Sequence, residues 1–192
     1  MQPMKDLKME HDAVRITLRI LDKICQRIER SGEIIDFQHL DQLLEFFTVF
    51  VDKCHHGKEE ELLFPALENV GVSNKGGPIE VLLHEHQQGR EYVQAMNAAL
   101  DQYTKGDPAV VNEFVKSAKG YINLLNQHIE KENGVLFPLA ETHLAKQAQE
   151  KLWEGFEMIE TQKIGVGKHD EFHKMLDKSA TTSSAGGMRM AP

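Results

Sequence analysis

Apolar residues recur every three or four positions along most of the chain, which is the period of an amphipathic α-helix. No alternating strand pattern stands out beside it. The pattern predicts four long helices, which run from Leu7 to the Ser31-Gly32 pair, from an N-cap at Asp36 to between Pro65 and Gly71, from Pro78 to Tyr103, and from an N-cap at Asp107 to Pro138. Because the connections between them are short, we expect an all-α fold, an antiparallel up-down four-helix bundle.

The pattern continues beyond the fourth helix. Residues 142–162 predict a further helix around Leu152, Phe156 and Ile159, and a glycine break, IGVGK at 164–168, precedes a short helical piece. The last residues are of low complexity and are expected to be disordered. The predicted organisation is a bundle over 1–141, a short helical C-terminal extension over 142–178 and a disordered tail over 179–192.

Composition and charge exclude several classes of function. The chain has 192 residues, 41% of them hydrophobic, a net charge of −8 and no basic run, so nucleic acid and anionic membranes are not expected partners. No apolar stretch is long enough to span a bilayer, and the N-terminus offers no secretory segment. Cys25 and Cys54 do not make a disulfide framework, so reduced thiols and a cytoplasmic location are expected.

The two halves of the predicted bundle repeat one another. The template E-H-x-x-x-R occurs at 10–15 and at 85–90, and the template H-x-x-K-E-x-x-x-L-F-P occurs at 55–65 and at 128–138. The offsets nearly agree, with 75 residues from His11 to His86 and 73 from His55 to His128. A spacing that recurs once per half predicts a pseudo-twofold arrangement in which equivalent positions face each other.

The repeat separates neighbouring residues in the stretch CHHGKEEELLFP at 54–65. It pairs His55 with His128 and Glu59 with Glu132, and it leaves His56 without a counterpart. Helical phase agrees, because steps of four and eight residues back from His55 reach apolar side chains, whereas the same steps from His56 reach polar ones. We therefore predict that His55 points into the core and that His56 flanks it.

Helical phase also turns three more histidines inward, one on each of the other helices, whereas His84 is expected to face outward. A single histidine on an apolar face is more often a hydrogen-bonded core residue than a ligand. Four of them, two with a glutamate at i+4, would be costly to bury without a cation. The predicted metal ligands are His11, His55, Glu59, His86, His128 and Glu132.

The donor set narrows the choice of metal. Imidazole and carboxylate ligands without an inward thiolate suit iron, manganese or zinc. Structural zinc prefers four ligands and usually thiolates. Six ligands in two matched sets favour two ions that share bridging carboxylates, so the sequence favours a di-iron centre, with manganese or zinc as substitutes.

These motifs together resemble the hemerythrin-like, HHE cation-binding family over about residues 7–140. The resemblance rests on the E-H pair near the start, DKCHHGKEEELLFP at 52–65, GGPIEVLLHEHQQGR at 76–90 and HIEKENGVLFP at 128–138. It implies a four-helix bundle around a non-haem di-iron centre, bridged by two carboxylates and an oxo or hydroxo group and held by the same six residues. Residues 156–173 also resemble an extension found in some members.

Two departures from the oxygen-carrying hemerythrins bear on function. Those proteins have H-x-x-x-H on the third helix, where this chain has Leu82 and Arg90 at the flanking positions, and H-x-x-x-x-D on the fourth, where it has H-x-x-x-E. A fifth histidine is therefore missing from its usual place. Candidates to supply it are His169 and His173 in the extension, and His56; for the first two the alternative is a solvent-facing amphipathic helix.

Several functions fit this site. The first is a di-iron protein that binds or senses dioxygen or nitric oxide; since no output domain is recognisable, a sensor would need a separate protein partner. The second is an enzyme that decomposes peroxide or reduces nitric oxide or dioxygen, with Glu60 or Glu85 moving protons unless they are only a charged rim. Iron storage or delivery is a third and a metal-free structural bundle a fourth. We expect a monomer or a weak homodimer.

Overall fold

The computed structural model describes residues 3–34 and 37–164, and these residues form helices without any strand. Four long helical runs are followed by a shorter one. They are α1 (Pro3–Ser31); α2 (Phe37–Phe46), continuing through π-helical Phe47–His56 and Glu59–Leu63 into α3 (Phe64–Asn69); α4 (Pro78–Thr104); a 3₁₀ turn (Pro108–Val110) leading into α5 (Val111–Lys131), π-helical Glu132–Leu136 and α6 (Phe137–His143); and α7 (Lys146–Ile159) with π-helical Glu160–Ile164. The prediction of an all-α fold is confirmed.

The ends of the helices follow the local chemistry of the sequence. Gly32 has a φ of 74°, a left-handed conformation that glycine adopts without strain, and it follows the last residue of α1. The Asp107 carboxylate accepts a hydrogen bond of 3.0 Å from the backbone N–H of Ala109, as its predicted capping role requires. The predicted cap at Asp36 lies outside the described residues.

Two of the runs become π-helical where the H-x-x-K-E template lies. A π-helix forms i→i+5 hydrogen bonds and often marks a functional site. Because its residues advance around the axis by a smaller angle than in an α-helix, neighbouring side chains can share a face. Both His55 and His56 are buried in consequence, so the expectation that His56 only flanks the core does not describe its position.

Two apolar clusters fill the interior. One contains large side chains from the middle of the runs, such as Phe47, Phe114 and Tyr121, and the other contains Leu7 and Leu82 among others. α4 packs along α5, and α1 packs on both α5 and α7. The predicted contact residues of the last helix are buried against these clusters; they are Leu152, Phe156 and Ile159. The inward histidines and glutamates lie along each run between residues of one cluster and residues of the other.

Cys25 and Cys54 are both buried and free. Burial raises the pKa of each thiol to about 12, so neither offers a thiolate at neutral pH. In the described part of the chain, no helix combines the length and the apolar character that crossing a membrane requires.

Candidate metal centre

The six side chains predicted as ligands converge between the two apolar clusters, and each is at most 2% exposed. The histidines form two pairs. The Nε2 atoms of His11 and His55 lie 3.0 Å apart, and those of His86 and His128 lie 3.2 Å apart. Each pair joins one residue of the E-H template to one of the H-x-x-K-E template, as the repeat leads one to expect.

The two glutamates connect the histidine pairs. Glu132 places one carboxylate oxygen 3.0 Å from His11 Nε2 and the other 3.1 Å from His128 Nε2. Glu59 places its oxygens 3.6 Å from His55 Nε2 and 3.4 Å from His86 Nε2. Each carboxylate therefore faces one histidine of each pair, which is the arrangement of a carboxylate that bridges two ions.

The outer nitrogens of the four rings determine which nitrogen carries the proton. Each Nδ1 lies within hydrogen-bond distance of one oxygen: His55 of Glu10 at 2.7 Å, His86 of Glu60 at 2.7 Å, His128 of Glu85 at 3.0 Å and His11 of Asn133 at 3.0 Å. Because carboxylate and amide oxygens accept hydrogen bonds, each Nδ1 donates, and the Nε2 of a neutral ring keeps a free lone pair.

Four Nε2 atoms thus meet four carboxylate oxygens, and no oxygen of Glu59 or Glu132 has a hydrogen-bond partner. The Nε2 atoms of His11 and His128 lie 3.0 and 3.1 Å from Glu132 oxygens, but the geometry of these contacts is not that of a hydrogen bond. Burial and the negative charge of Glu132 raise the pKa of Glu59 well above its usual range. Burial lowers the pKa of His128, but Glu132 and Glu85 outweigh it and raise the pKa to about 9, so without a cation this ring carries a proton that a bound metal ion would replace. Lone pairs and negative charge of this kind fit cations between the rings.

The other residues that recur in the two templates hold the histidine rings in place. Glu10 and Glu85, the acids of the E-H pairs, accept from histidines of the opposite template, and each also binds a lysine, Lys58 or Lys131. The sequence predicts Glu85 only as a proton carrier or rim residue and predicts no role for Glu10 or for either lysine. The signal was present, since all four recur in the repeat.

Two other acceptors were missed for a different reason. Glu60 and Asn133 follow the paired glutamates directly and accept from His86 and His11. Glu60 and Asn133 occupy equivalent positions of the repeat but differ in residue type, so the identity of the two halves does not reveal them. Glu60 also accepts a hydrogen bond of 2.6 Å from Arg90, so it is part of the support of the centre rather than only a charged rim.

The lysines differ in their surroundings. Lys58 is fully buried and binds Glu10, Asp6 and Glu160 at 2.6, 3.1 and 2.6 Å, whereas the Lys131 side chain is 42% exposed and binds Glu85 alone in the described part of the chain. Burial alone would raise the pKa of Glu10, but the hydrogen bond from His55 and the charge of Lys58 lower it to about 2. One half of the centre is therefore anchored to the last helical run through Glu160.

The candidates for a fifth histidine have different outcomes. His56 is buried and stacks on His86 with ring centroids 3.8 Å apart and an interplanar angle of 14°. One of its nitrogens belongs to a group of donor atoms with Glu59, His86 and His128, all within 4.8 Å of one another. His169 and His173 lie outside the described residues, so their role as ligands stays a prediction. His84 is exposed, as predicted.

The sequence model of the hemerythrin HHE cation binding domain matches residues 2–140. The chain belongs to the hemerythrin HHE cation-binding family. This hemerythrin-like chain is 29% identical over 140 residues to the iron-sulfur cluster repair protein YtfE of Dickeya chrysanthemi, a match that covers 68% of this chain and 60% of the relative. It is 33% identical over 142 residues to YtfE of an Enterobacter species, covering 69% of this chain and 64% of that protein.

The hemerythrin-like chain is also similar to an uncharacterized protein of Mycobacterium tuberculosis, Rv1995, at 23% identity over 184 residues, with 96% of this chain and 70% of the relative covered. No solved structure matches the chain. The chain spans less than two thirds of the length of the two YtfE relatives. The family and the two histidine–glutamate clusters identify a cation-binding hemerythrin-like protein.

Proposed function

We propose that this hemerythrin-like chain is a non-haem di-iron protein that binds and processes a small molecule such as dioxygen, nitric oxide or peroxide. The observation that carries the proposal is the pair of buried carboxylates, each of which faces one Nε2 of each histidine pair. Nitrogen and carboxylate donors without a thiolate suit iron. When bound, two iron ions would supply one-electron redox steps and a position open to a small molecule.

In this proposal the six predicted ligands divide into two sets on an antiparallel four-helix scaffold. His11 and His55 would hold one ion, His86 and His128 would hold the other, and Glu59 and Glu132 would be shared between them. The Nδ1 acceptors fix the tautomer and the direction of each ring, a supporting role that commonly sharpens metal affinity. The two apolar clusters exclude bulk water from the ligands.

The name of the YtfE relatives, iron-sulfur cluster repair protein, favours a second candidate, in which this chain delivers iron for such repair. Delivery requires that the metal leave readily. Against this, all six side chains are buried and each ring is fixed at its outer nitrogen. The contacts therefore favour a retained centre, and iron transfer is the property that separates the two functions.

The first prediction concerns metal content. Wild-type protein reconstituted with ferrous iron without oxygen should hold about two ions per chain, and His55→Ala and His128→Ala should each lose at least one, because each removes a donor from one ion. His84→Ala is the matched control, since His84 is exposed on α4 two residues from His86. Elemental analysis measures the content. Equal iron in all four proteins would contradict the assigned ligands.

A second prediction separates the functions by spectroscopy. The oxidised protein should show near-ultraviolet charge-transfer bands that change when azide is added, and the reduced protein should reoxidise promptly in air. A stable spectrum that reverses when oxygen is removed would support oxygen carriage instead. Rapid loss of iron to a chelator or to a metal-free iron–sulfur protein would support delivery and would refute the retained centre.

A further inference from the structure

A cavity of about 230 Å³ lies beside the candidate metal centre. Its lining includes two exposed residues, Gln94 and Asn97, and three buried ones, Phe47, Tyr121 and His56. None of the six proposed ligands lines it. His56 is the one residue that belongs both to this lining and to a described group of metal-ligating side chains. We call this space the His56 cavity.

The His56 ring lacks hydrogen-bond partners although it is only 3% exposed. Its Nδ1 lies 3.6 Å from Asp52, which is too long for a hydrogen bond, and Asp52 accepts from Arg90 instead. Buried polar groups in folded proteins are almost always partnered, by protein or by a bound molecule. An unpartnered, buried imidazole in the lining of a cavity therefore points to a molecule in that cavity.

The orientation of His56 argues against a role as one more ligand. The rings of His56 and His86 are stacked with a small interplanar angle, so their in-plane lone pairs lie in two nearly parallel planes that do not meet near the rings. Two imidazoles that bind one ion direct their lone pairs to a common point. The His56 ring instead forms a wall between the cavity and the His86–His128 pair.

We propose that the His56 cavity is the binding subsite and the route by which a small molecule reaches the centre on the side of the His86–His128 pair. The inference rests on the proposed function and deepens it, because it assigns the ion that the molecule approaches. The exposed amides of Gln94 and Asn97 admit a molecule that accepts hydrogen bonds, and the His56 ring donates one to it. The cavity is smaller than those that hold larger organic ligands.

The test uses variants that change the cavity without removing a proposed ligand. Val93 is buried on α4 and lines the cavity, so Val93→Phe should fill it, whereas His56→Ala should widen it toward the centre. Val81→Phe is the control, since Val81 is 48% exposed on the same helix and does not line the cavity. Stopped-flow mixing of azide with the oxidised, iron-loaded proteins measures access through the change in the charge-transfer bands.

We expect Val93→Phe to slow the azide reaction by about tenfold or more and His56→Ala to accelerate it, with iron content unchanged in both and Val81→Phe like wild type. An unchanged rate in Val93→Phe would overturn the proposal. Loss of iron in His56→Ala to the extent seen in His55→Ala would make His56 a ligand and would overturn it as well. If Val93→Phe does not fold, Gln94→Trp, at an exposed lining residue, serves the same purpose.

A second measurement separates this inference from the proposed function. In metal-free, ¹⁵N-labelled protein, azide should shift the ring resonances of His56 but not those of His84, and Val93→Phe should abolish the shift. Absence of any shift of His56 would overturn the cavity assignment. Failure of the wild-type protein to take up iron would refute the di-iron proposal, whereas the azide shift of His56 in the metal-free protein decides the cavity assignment by itself.

Discussion

The Glu59→Gln variant is expected to bind less metal than wild type and yet to unfold at a higher urea concentration once both proteins are metal-free. Both effects have one cause. The Glu59 carboxylate is fully buried, has no hydrogen-bond partner and lies near Glu132. Burial and the negative charge of Glu132 raise the pKa of Glu59. A bound cation turns this unfavourable charge into a favourable ligand, and without the cation it remains unfavourable.

The expected magnitudes are large in both directions. The neutral amide cannot bridge two ions as a carboxylate does, so iron content should fall from about two per chain to one or less. In the metal-free state the amide has nearly the same shape without the charge, so the free energy of unfolding should rise by about 1–3 kcal/mol. Elemental analysis and urea unfolding in the presence of a chelator give the two values.

Glu61→Gln provides the matched control for this prediction. Glu61 lies two residues away, its side chain is 51% exposed, and it forms an ion pair with Lys163 at the surface. Its substitution should change the metal content little and the stability by less than about 1 kcal/mol. A metal-free Glu59→Gln protein that is less stable than wild type would show that the carboxylate stabilises the fold by itself, and would argue against a site built for cations.

The repeat explains why most of the centre could be predicted from sequence. Inward positions on four amphipathic helices are set by a period of about 3.6 residues, and equivalent positions that carry identical residue types identify a shared site. That reasoning brought His11, His55, His86 and His128 together with the two glutamates, and the structure places these side chains side by side. It also predicted the end of α1 at Ser31-Gly32, where glycine chemistry is local.

The remaining features depend on information that periodicity does not contain. The burial of His56 follows from π-helical hydrogen bonding, which no apolar pattern distinguishes from an α-helix. The roles of Glu60 and Asn133 follow from position rather than from residue identity. The ion pair of Lys58 with Glu160 joins residues far apart in sequence, so only the packing of the last helical run reveals it.

The two lysines break the pseudo-symmetry of the centre. Glu10 and Glu85 accept from His55 and His128 in the same manner, but only Lys58 is buried under the last helical run. The last helical run thus covers the His11–His55 half at Lys58, whereas the other half lies beside the His56 cavity. Two ions in such a centre would have the same kinds of ligands and different access, which suits a site where one ion meets the small molecule.

Lys58→Met is expected to destabilise the protein by about 3–5 kcal/mol, because it leaves Glu10 buried without the cation that holds it. Asp6 and Glu160 would lose the same partner, although each is partly exposed and can be hydrated. The thioether side chain has a similar length, so the loss reports the charge rather than the volume. Urea unfolding of the metal-free proteins measures the difference in the free energy of unfolding.

Lys131→Met is the control at the equivalent position of the repeat. Because Lys131 is 42% exposed, its loss should change stability by less than about 1 kcal/mol. The double variant Lys58→Met/Glu10→Gln should recover much of the stability, since it removes the charge that the single variant leaves unpaired. Equal effects of the two lysine substitutions would mean that burial does not distinguish the halves, and the asymmetry of the centre would then have to lie in the cavity alone.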